Sequence, residues 1–241
     1  VTSRFQCSLQ LLLVWMLLFG CMATVHGKES VFFEESFTSL SRWKLFTFPG
    51  IPVSSEYRLT TEDAVPCLHM ESDGGASALV FDQLFNVYEY PKLQWRWKVR
   101  NVYHKGDSTT KQGDDYPARL YVMFRYDAET ASFAKQIQYG IAKLLYGEYP
   151  PDSSLNYIWA NRVDARDIIT NAYTDQAKMI PVSKGEKDLG SWQTYTVDIV
   201  ADYRKAFRKE PPKEATVAVM IDADDTGETA RACIDFIRIF R

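Results

Sequence analysis

Apolar and polar residues alternate at period two along much of the chain, which is the signature of strands with one buried face. In Leu93–Val99, Leu93, Trp95, Trp97 and Val99 fall on one face, and Gln94, Arg96 and Lys98 on the other. In Ala118–Tyr126, Leu120, Val122, Phe124 and Tyr126 oppose Arg119, Tyr121, Met123 and Arg125. In Thr216–Asp222, Val217, Val219 and Ile221 oppose Thr216, Ala218, Met220 and Asp222. Further runs rich in aromatic and β-branched residues, bounded by Gly, Pro, Asp and Asn, are Val31–Phe37, Tyr57–Thr60, Cys67–Ser72, Ala78–Val80, Tyr157–Asn161, Ala177–Pro181, Gln193–Ile199 and Cys233–Phe240. Strands in such number, without a regular strand–helix alternation, predict an all-β fold, a jelly-roll-like antiparallel β-sandwich.

Two stretches leave that period. Phe133, Ile137, Ile141, Leu144 and Leu145 recur at near-helical spacing in Thr130–Tyr146, and Gly147 and Pro150-Pro151 follow. A shorter helix is predicted at Ala201–Phe207, before Pro211-Pro212. Both are expected at the periphery, over a sheet edge or the sandwich mouth.

The N-terminal pattern is different in kind. Arg4 is the only charged residue before Lys28, an apolar run spans Leu11–Phe19, and Val25-His26-Gly27 offers small residues at −3 and −1. These features predict a secretory signal over residues 1–27, with 28–241 as a single β-sandwich domain, periplasmic or secreted. The alternative is a lipoprotein signal with a lipid anchor at Cys21. The apolar run falls short of the roughly 20 residues that span a bilayer, and no later segment is long and apolar enough to do so. Composition adds little to this picture. The 241 residues carry 28 basic and 31 acidic side chains, without the clustered basic face that nucleic acid selects. Cys67 and Cys233 remain after cleavage, as one disulfide or as two buried thiols.

Candidate chemistry lies in three polar constellations. The first is Lys111, Asp114 and Asp115, which lead into the strand bearing Arg119 and Tyr121. A planar guanidinium makes bidentate hydrogen bonds to anionic or hydroxylated ligands, so Arg119 and Lys111, with Arg96, are expected to grip a ligand that an aspartate orients. A structural ion pair between an aspartate and Arg119 is the other reading. The second is Asp222-Ala223-Asp224-Asp225-Thr226-Gly227, whose oxygens at Asp222, Asp224 and Thr226 open like a calcium loop. Cys233 stands where that loop needs its bidentate glutamate, so the choice is between a calcium site completed from elsewhere, a hairpin turn and a ligand-contacting acid. The third is Trp159, Asn161, Asn171 and Tyr173, aromatic and amide groups of the kind that furnish sugar sites. No His-Glu-x-x-His pair, Gly-x-Ser-x-Gly elbow, phosphate-binding loop or dinucleotide fingerprint is present.

The order of Trp95-Arg96-Trp97, Asp114-Asp115-Tyr116-Pro117-Ala118-Arg119, Leu145-Tyr146-Gly147, Asn156-Tyr157-Ile158-Trp159, Asn171-Ala172-Tyr173, Asp202-Tyr203, Glu210-Pro211-Pro212 and Met220-Ile221-Asp222-Ala223-Asp224-Asp225 resembles the bacterial family known as domain of unknown function 3047. The resemblance covers essentially the whole chain after residue 27. It implies an exported bacterial protein with a sandwich similar to carbohydrate-binding folds, and no established activity. One departure is Arg208, where the family more often has glycine. The function expected from residues and resemblance together is a cell-envelope module that binds a glycan or other polar ligand. The competing expectations are a polysaccharide hydrolase or lyase, with Asp114 or Asp115 facing Asp222 or Asp224, and an envelope component with a protein partner.

Overall fold

The computed structural model describes residues 30–127 and 150–241. The expected signal segment with Cys21 and the expected helix Thr130–Tyr146 lie outside these residues. The described chain forms fourteen strands: β1 (Val31–Glu35), β2 (Trp43–Thr47), β3 (Glu56–Glu62), β4 (Val65–Asp73), β5 (Ala76–Phe81), β6 (Phe85–Asn86), β7 (Lys92–Val99), β8 (Arg119–Phe124), β9 (Ser153–Ala160), β10 (Ile169–Thr170), β11 (Ala177–Lys184), β12 (Gln193–Asp198), β13 (Glu214–Asp222) and β14 (Thr229–Phe240). One helix, α1 (Ile199–Phe207), follows β12 directly. The strands build two sheets. The smaller runs β12-β7-β14-β4-β3 with β1 beside β14, and the larger runs β10-β11-β9-β8-β13-β5-β2 with β6 beside β13. Every pairing is antiparallel except that of β9 with β11. The fold is the jelly-roll-like sandwich that the alternation predicts, with a mixed rather than purely antiparallel larger sheet.

The core lies between the sheets and is made by the predicted apolar faces. Leu93, Trp95, Trp97 and Val99 of the smaller sheet and Leu120, Val122, Phe124, Val217, Val219 and Ile221 of the larger are buried in one cluster. Trp95 of β7 meets Tyr157 of β9 across the gap, with ring centroids 5.3 Å apart. Aromatic surfaces this large supply most of the apolar burial that holds two sheets face to face. The sequence reading missed β2, β6 and β10. In β2 Leu45 and Phe46 are adjacent rather than alternating, and both are about half exposed on an edge strand. The other two are two residues long, too short to show any period.

Helix α1 begins where Asp198 accepts a hydrogen bond from the Ala201 N–H at 2.9 Å, an N-cap that ends β12 one residue earlier than its apolar run suggests. It ends at Arg208, whose φ of 59° and ψ of 28° place a side chain in the left-handed region. Glycine occupies that helix-terminal position at no steric cost. Arg208 is exposed and loses nothing by truncation. Arg208→Gly is therefore expected to raise stability by about 1 kcal/mol, read as a higher urea midpoint at unchanged slope.

The two cysteines face outward on neighbouring strands. Cys233 pairs with His69, which sets it diagonally from Cys67. Both are buried free thiols. Diagonal cross-strand positions lie about 7–8 Å apart, beyond the roughly 7 Å that a disulfide spans without backbone movement.

Candidate functional site

Strand β8 starts at Arg119 and the antiparallel β13 ends at Asp222, with Met220 opposite Arg119 in register. Alternation puts Arg119, Met220 and Asp222 on the outer face of the larger sheet, as read from the sequence. That face is not open to water here. The loops over residues 101–118, 161–176 and 223–228 close over it, and Arg119 and Asp222 are each only 3% exposed.

The Arg119 fork is fully engaged. Nε donates to Asp222 Oδ1 at 2.8 Å, and Nη2 donates both to Asp222 Oδ2 and to the Asp114 carbonyl. Nη1 reaches the Tyr121 hydroxyl at 3.4 Å, and the guanidinium lies over the Tyr116 ring, 4.4 Å from its centroid. The Tyr116 N–H adds a third type of donor to Asp222, at 3.1 Å. Arginine suits a bidentate carboxylate partner in a dry site, where each N–H must find an acceptor.

Two further aspartates surround this pair. Asp115 is fully buried, and its carboxylate accepts the backbone N–H of Thr226 at 2.6 Å and of Asp225 at 3.4 Å. It thereby ties the 101–118 loop to the turn after β13. Asn161 secures the same loop, donating to the Asp115 carbonyl at 2.7 Å while its Oδ1 accepts the Tyr103 N–H at 2.9 Å. Asp114 accepts from Asn171 Nδ2 at 2.6 Å. Burial pushes the Asp222 carboxyl up to about 8, outweighing the attraction of Arg119, and the charge on Asp115 acts in the same direction. Burial likewise raises Asp114, against the pull of Arg119 and Asn171. Tyr173 stands at the rim, its ring half exposed and its hydroxyl donating to Asp225 at 2.8 Å, with Lys111 Nζ 5.0 Å from the ring centroid.

The structure thus gathers Lys111, Asp114, Asp115, Arg119, Tyr121, Asn171, Tyr173 and Asp222 at one end of the larger sheet. It leaves two expected residues out. Arg96 lies on the outer face of the smaller sheet, bonded to Asp235 at 3.1 Å and stacked on Trp192. Period-two alternation sorts faces within a strand but does not say which sheet the strand joins. Trp159 continues the inner row of Leu155 and Tyr157, is wholly buried, and donates its indole N–H to the Gly185 carbonyl at 2.9 Å. It is a core residue. The expected calcium set changes as well. Carboxylate oxygens of Asp115, Asp222 and Asp224 lie within 4.8 Å of one another, whereas Thr226 serves the turn, its N–H held by Asp115 and its hydroxyl accepting the Glu228 N–H.

A cleft of about 570 Å³, which the sequence reading missed, opens beside this network. Asp107, Ser108 and Thr109 line one side, and Arg162, Asp164 and Arg166 belong to the other. Arg162 is neutralised by Asp164 at 3.1 Å and approaches Asp107 at 3.6 Å. Among the described residues Arg166 makes no ion pair. Thr170 and Ala172 also line the cleft and flank Asn171, so the cleft and the buried network share loops. These residues come from two distant loops with no periodicity, so only the fold brings them together.

The family model described as a protein of unknown function (DUF3047) matches residues 41–238. No curated protein matches the sequence. Among solved structures, the chain is similar to a cellulase derived from the Rhodothermus marinus enzyme, with 10% identity, 88% of this chain and 98% of that chain covered and a TM-score of 0.46. It is similar to a family 12 xyloglucanase from Bacillus licheniformis at 8% identity, covering 89% and 99%, with a TM-score of 0.44. It also matches the enzymatically active domain of bacteriophage CBA120 tailspike protein 4 at 9% identity and a TM-score of 0.41, where 86% of this chain spans only 20% of that chain.

Proposed function

We propose that this chain, which belongs to the DUF3047 family, is a binding module that takes an acidic glycan in the cleft between the 107–109 and 162–172 loops. The observation that carries the reading is Arg166, an exposed guanidinium that makes no ion pair among the described residues, in a cleft with the Ser108, Thr109 and Thr170 hydroxyls whose other arginine, Arg162, is engaged by Asp164 and Asp107. The volume suits a ligand of a few sugar rings, within the roughly 300–1,000 Å³ of small-ligand sites. A free guanidinium recognises a sugar carboxylate by paired hydrogen bonds. Carboxylates and hydroxyls accept from and donate to the remaining sugar hydroxyls. Tyr173, next in sequence to Ala172 of the cleft lining, is half exposed and fixed through its hydroxyl, and offers a ring face. The buried Arg119 network supports this role indirectly, by holding the loops that form the cleft walls. Export, expected from residues 1–27, would bring such a module to envelope or extracellular polysaccharides.

Affinity electrophoresis of the intact chain through gels containing polygalacturonate, alginate or a neutral β-glucan tests the reading. Retardation by a uronate polymer is expected, weakened at least tenfold in Arg166→Ala, a loss of about 1.4 kcal/mol, and partly retained in Arg166→Lys. Absence of retardation in every gel, binding to the neutral polymer alone, or unchanged binding by Arg166→Ala would overturn it.

A further inference from the structure

We propose that strand β2 is a self-association edge, on which a second copy of this chain lays its own β2 antiparallel across a two-fold axis at Leu45. β2 ends the larger sheet, and β5 is the strand it pairs with. The Asp82 N–H donates to the Arg42 carbonyl at 3.0 Å, and bonded positions alternate along an antiparallel pair. Lys44 and Phe46 therefore bond to β5, whereas Leu45 and Thr47 turn their N–H and C=O outward. Trp43 faces outward too, its N–H closed on the Leu40 carbonyl at 2.9 Å, which leaves its carbonyl as an acceptor. Past Thr47 the chain leaves the edge. Pro49 and Gly50, the latter at φ 90°, form a type II turn closed by the Ile51 N–H on the Phe48 carbonyl at 3.2 Å. Phe48 and Ile51 then fold back on Ala78 and Met220. The open edge is the five residues of β2, and its apolar side chains are not covered: Leu45 is 56% exposed and Phe46 48%.

Sheet edges are ordinarily blunted by charge, brevity or cover. The edge strand β3 carries Glu56, Arg58 and Glu62, and β10 is two residues long. In β2 a single charge, Lys44, stands beside Leu45 and Phe46. Two features choose a second copy as the occupant. Unpaired backbone groups need a strand to bond to, which lipid cannot supply. β2 is also complementary to itself. In the two-fold register Leu45 exchanges both backbone bonds with the second copy's Leu45, and the Thr47 N–H meets the second copy's Trp43 carbonyl. Lys44 falls opposite the second copy's Phe46, so each ammonium meets a ring and no like charges oppose. The contact is isologous and closes at two copies. Strand β10, which lines the glycan cleft, ends the larger sheet at its opposite edge. Pairing through β2 leaves both clefts open and is independent of what they bind.

Sedimentation velocity of the intact chain over a concentration series tests the proposal. A reversible dimer is expected, of the weak kind that contacts below about 1,200 Å² form. Leu45→Lys sets two ammonium groups opposite each other and should weaken association by about tenfold or more. Its urea midpoint should stay parental, because the side chain it replaces is exposed. Leu59→Lys, on β3, should associate as the parent does. The register has a separate readout. Directly opposed, hydrogen-bonded residues have Cα atoms about 5.5 Å apart, inside the roughly 4.4–6.8 Å that a disulfide spans. Under mild oxidation Leu45→Cys should therefore join two copies through the introduced thiols, located by peptide mass, and Leu59→Cys should not. A monomer at every concentration, parental association in Leu45→Lys, or cross-linking at residue 59 and not at residue 45 overturns the proposal.

Discussion

Arg119→Ala is expected to destabilise the folded chain by about 3–5 kcal/mol, the range for removing one partner of a buried ion pair. Had Arg119 faced water, as alternation alone implies, the same substitution would be mild, because truncating an exposed arginine seldom costs more than a fraction of a kcal/mol. Burial reverses the expectation. The variant leaves Asp222 with the Tyr116 N–H alone of its donors, and leaves the Asp114 carbonyl without the guanidinium inside the loop. The carboxylates can recover only by taking up protons or water, and either response loosens the loops that cover the sheet. Urea denaturation followed by tryptophan fluorescence measures the loss. A double variant, Arg119→Met with Asp222→Leu, separates charge from packing. It removes the pair together and is expected to regain a substantial part of the loss, since apolar replacement of a buried pair is often close to neutral. A parental midpoint for Arg119→Ala would show that the network carries no load.

That contrast marks what was legible in the sequence. Face assignment was legible because it depends on local geometry: Trp95, Trp97, Leu120, Val122, Val217 and Ile221 had to share buried faces whatever their neighbours. The grouping of Lys111, Asp114, Asp115 and Arg119 was legible because they are close in sequence, and Asp222 joined them because β13 pairs with β8. Sheet membership was not legible, which is why Arg96 was misplaced on the Arg119 side. Whether an outer face meets water or a covering loop was not legible either, since cover is a tertiary matter and the loops over Arg119 carry no strand or helix pattern. The cleft was the least accessible of all. Arg162 and Arg166 read as ordinary surface charges until Asp107 and Ser108 are seen opposite them. Nothing in either loop announces the other.

Gly106→Ala is expected to cost about 1–3 kcal/mol, as overpacking of a filled site does, and to disturb the cleft at the same time. A Cβ at residue 106 would overlap the Asn161 side-chain amide and come within 2.9 Å of the Asn161 Cβ. That amide has little freedom to retreat, because its two ends hold the Tyr103 N–H and the Asp115 carbonyl, both buried. Glycine at 106 is therefore a matter of close approach, and the adjacent Asp107 carries the consequence into the cleft wall. Asn161→Ala tests the same contact from the other side. It strands a buried donor and a buried acceptor, about 1–3 kcal/mol for each group left unpaired. Because both substitutions act on one contact, the double variant should cost less than the two single losses added, by about 0.5–3 kcal/mol: once Asn161 is truncated, most of the overlap with a new methyl is gone. Strict additivity in a double-mutant cycle, measured by urea midpoints, would mean that Gly106 is needed for some reason other than Asn161. If the coupling is found, uronate binding should weaken in Gly106→Ala in step with the displacement of Asp107, while the Arg119–Asp222 pair, anchored on strands rather than on this loop, keeps its own contribution to stability.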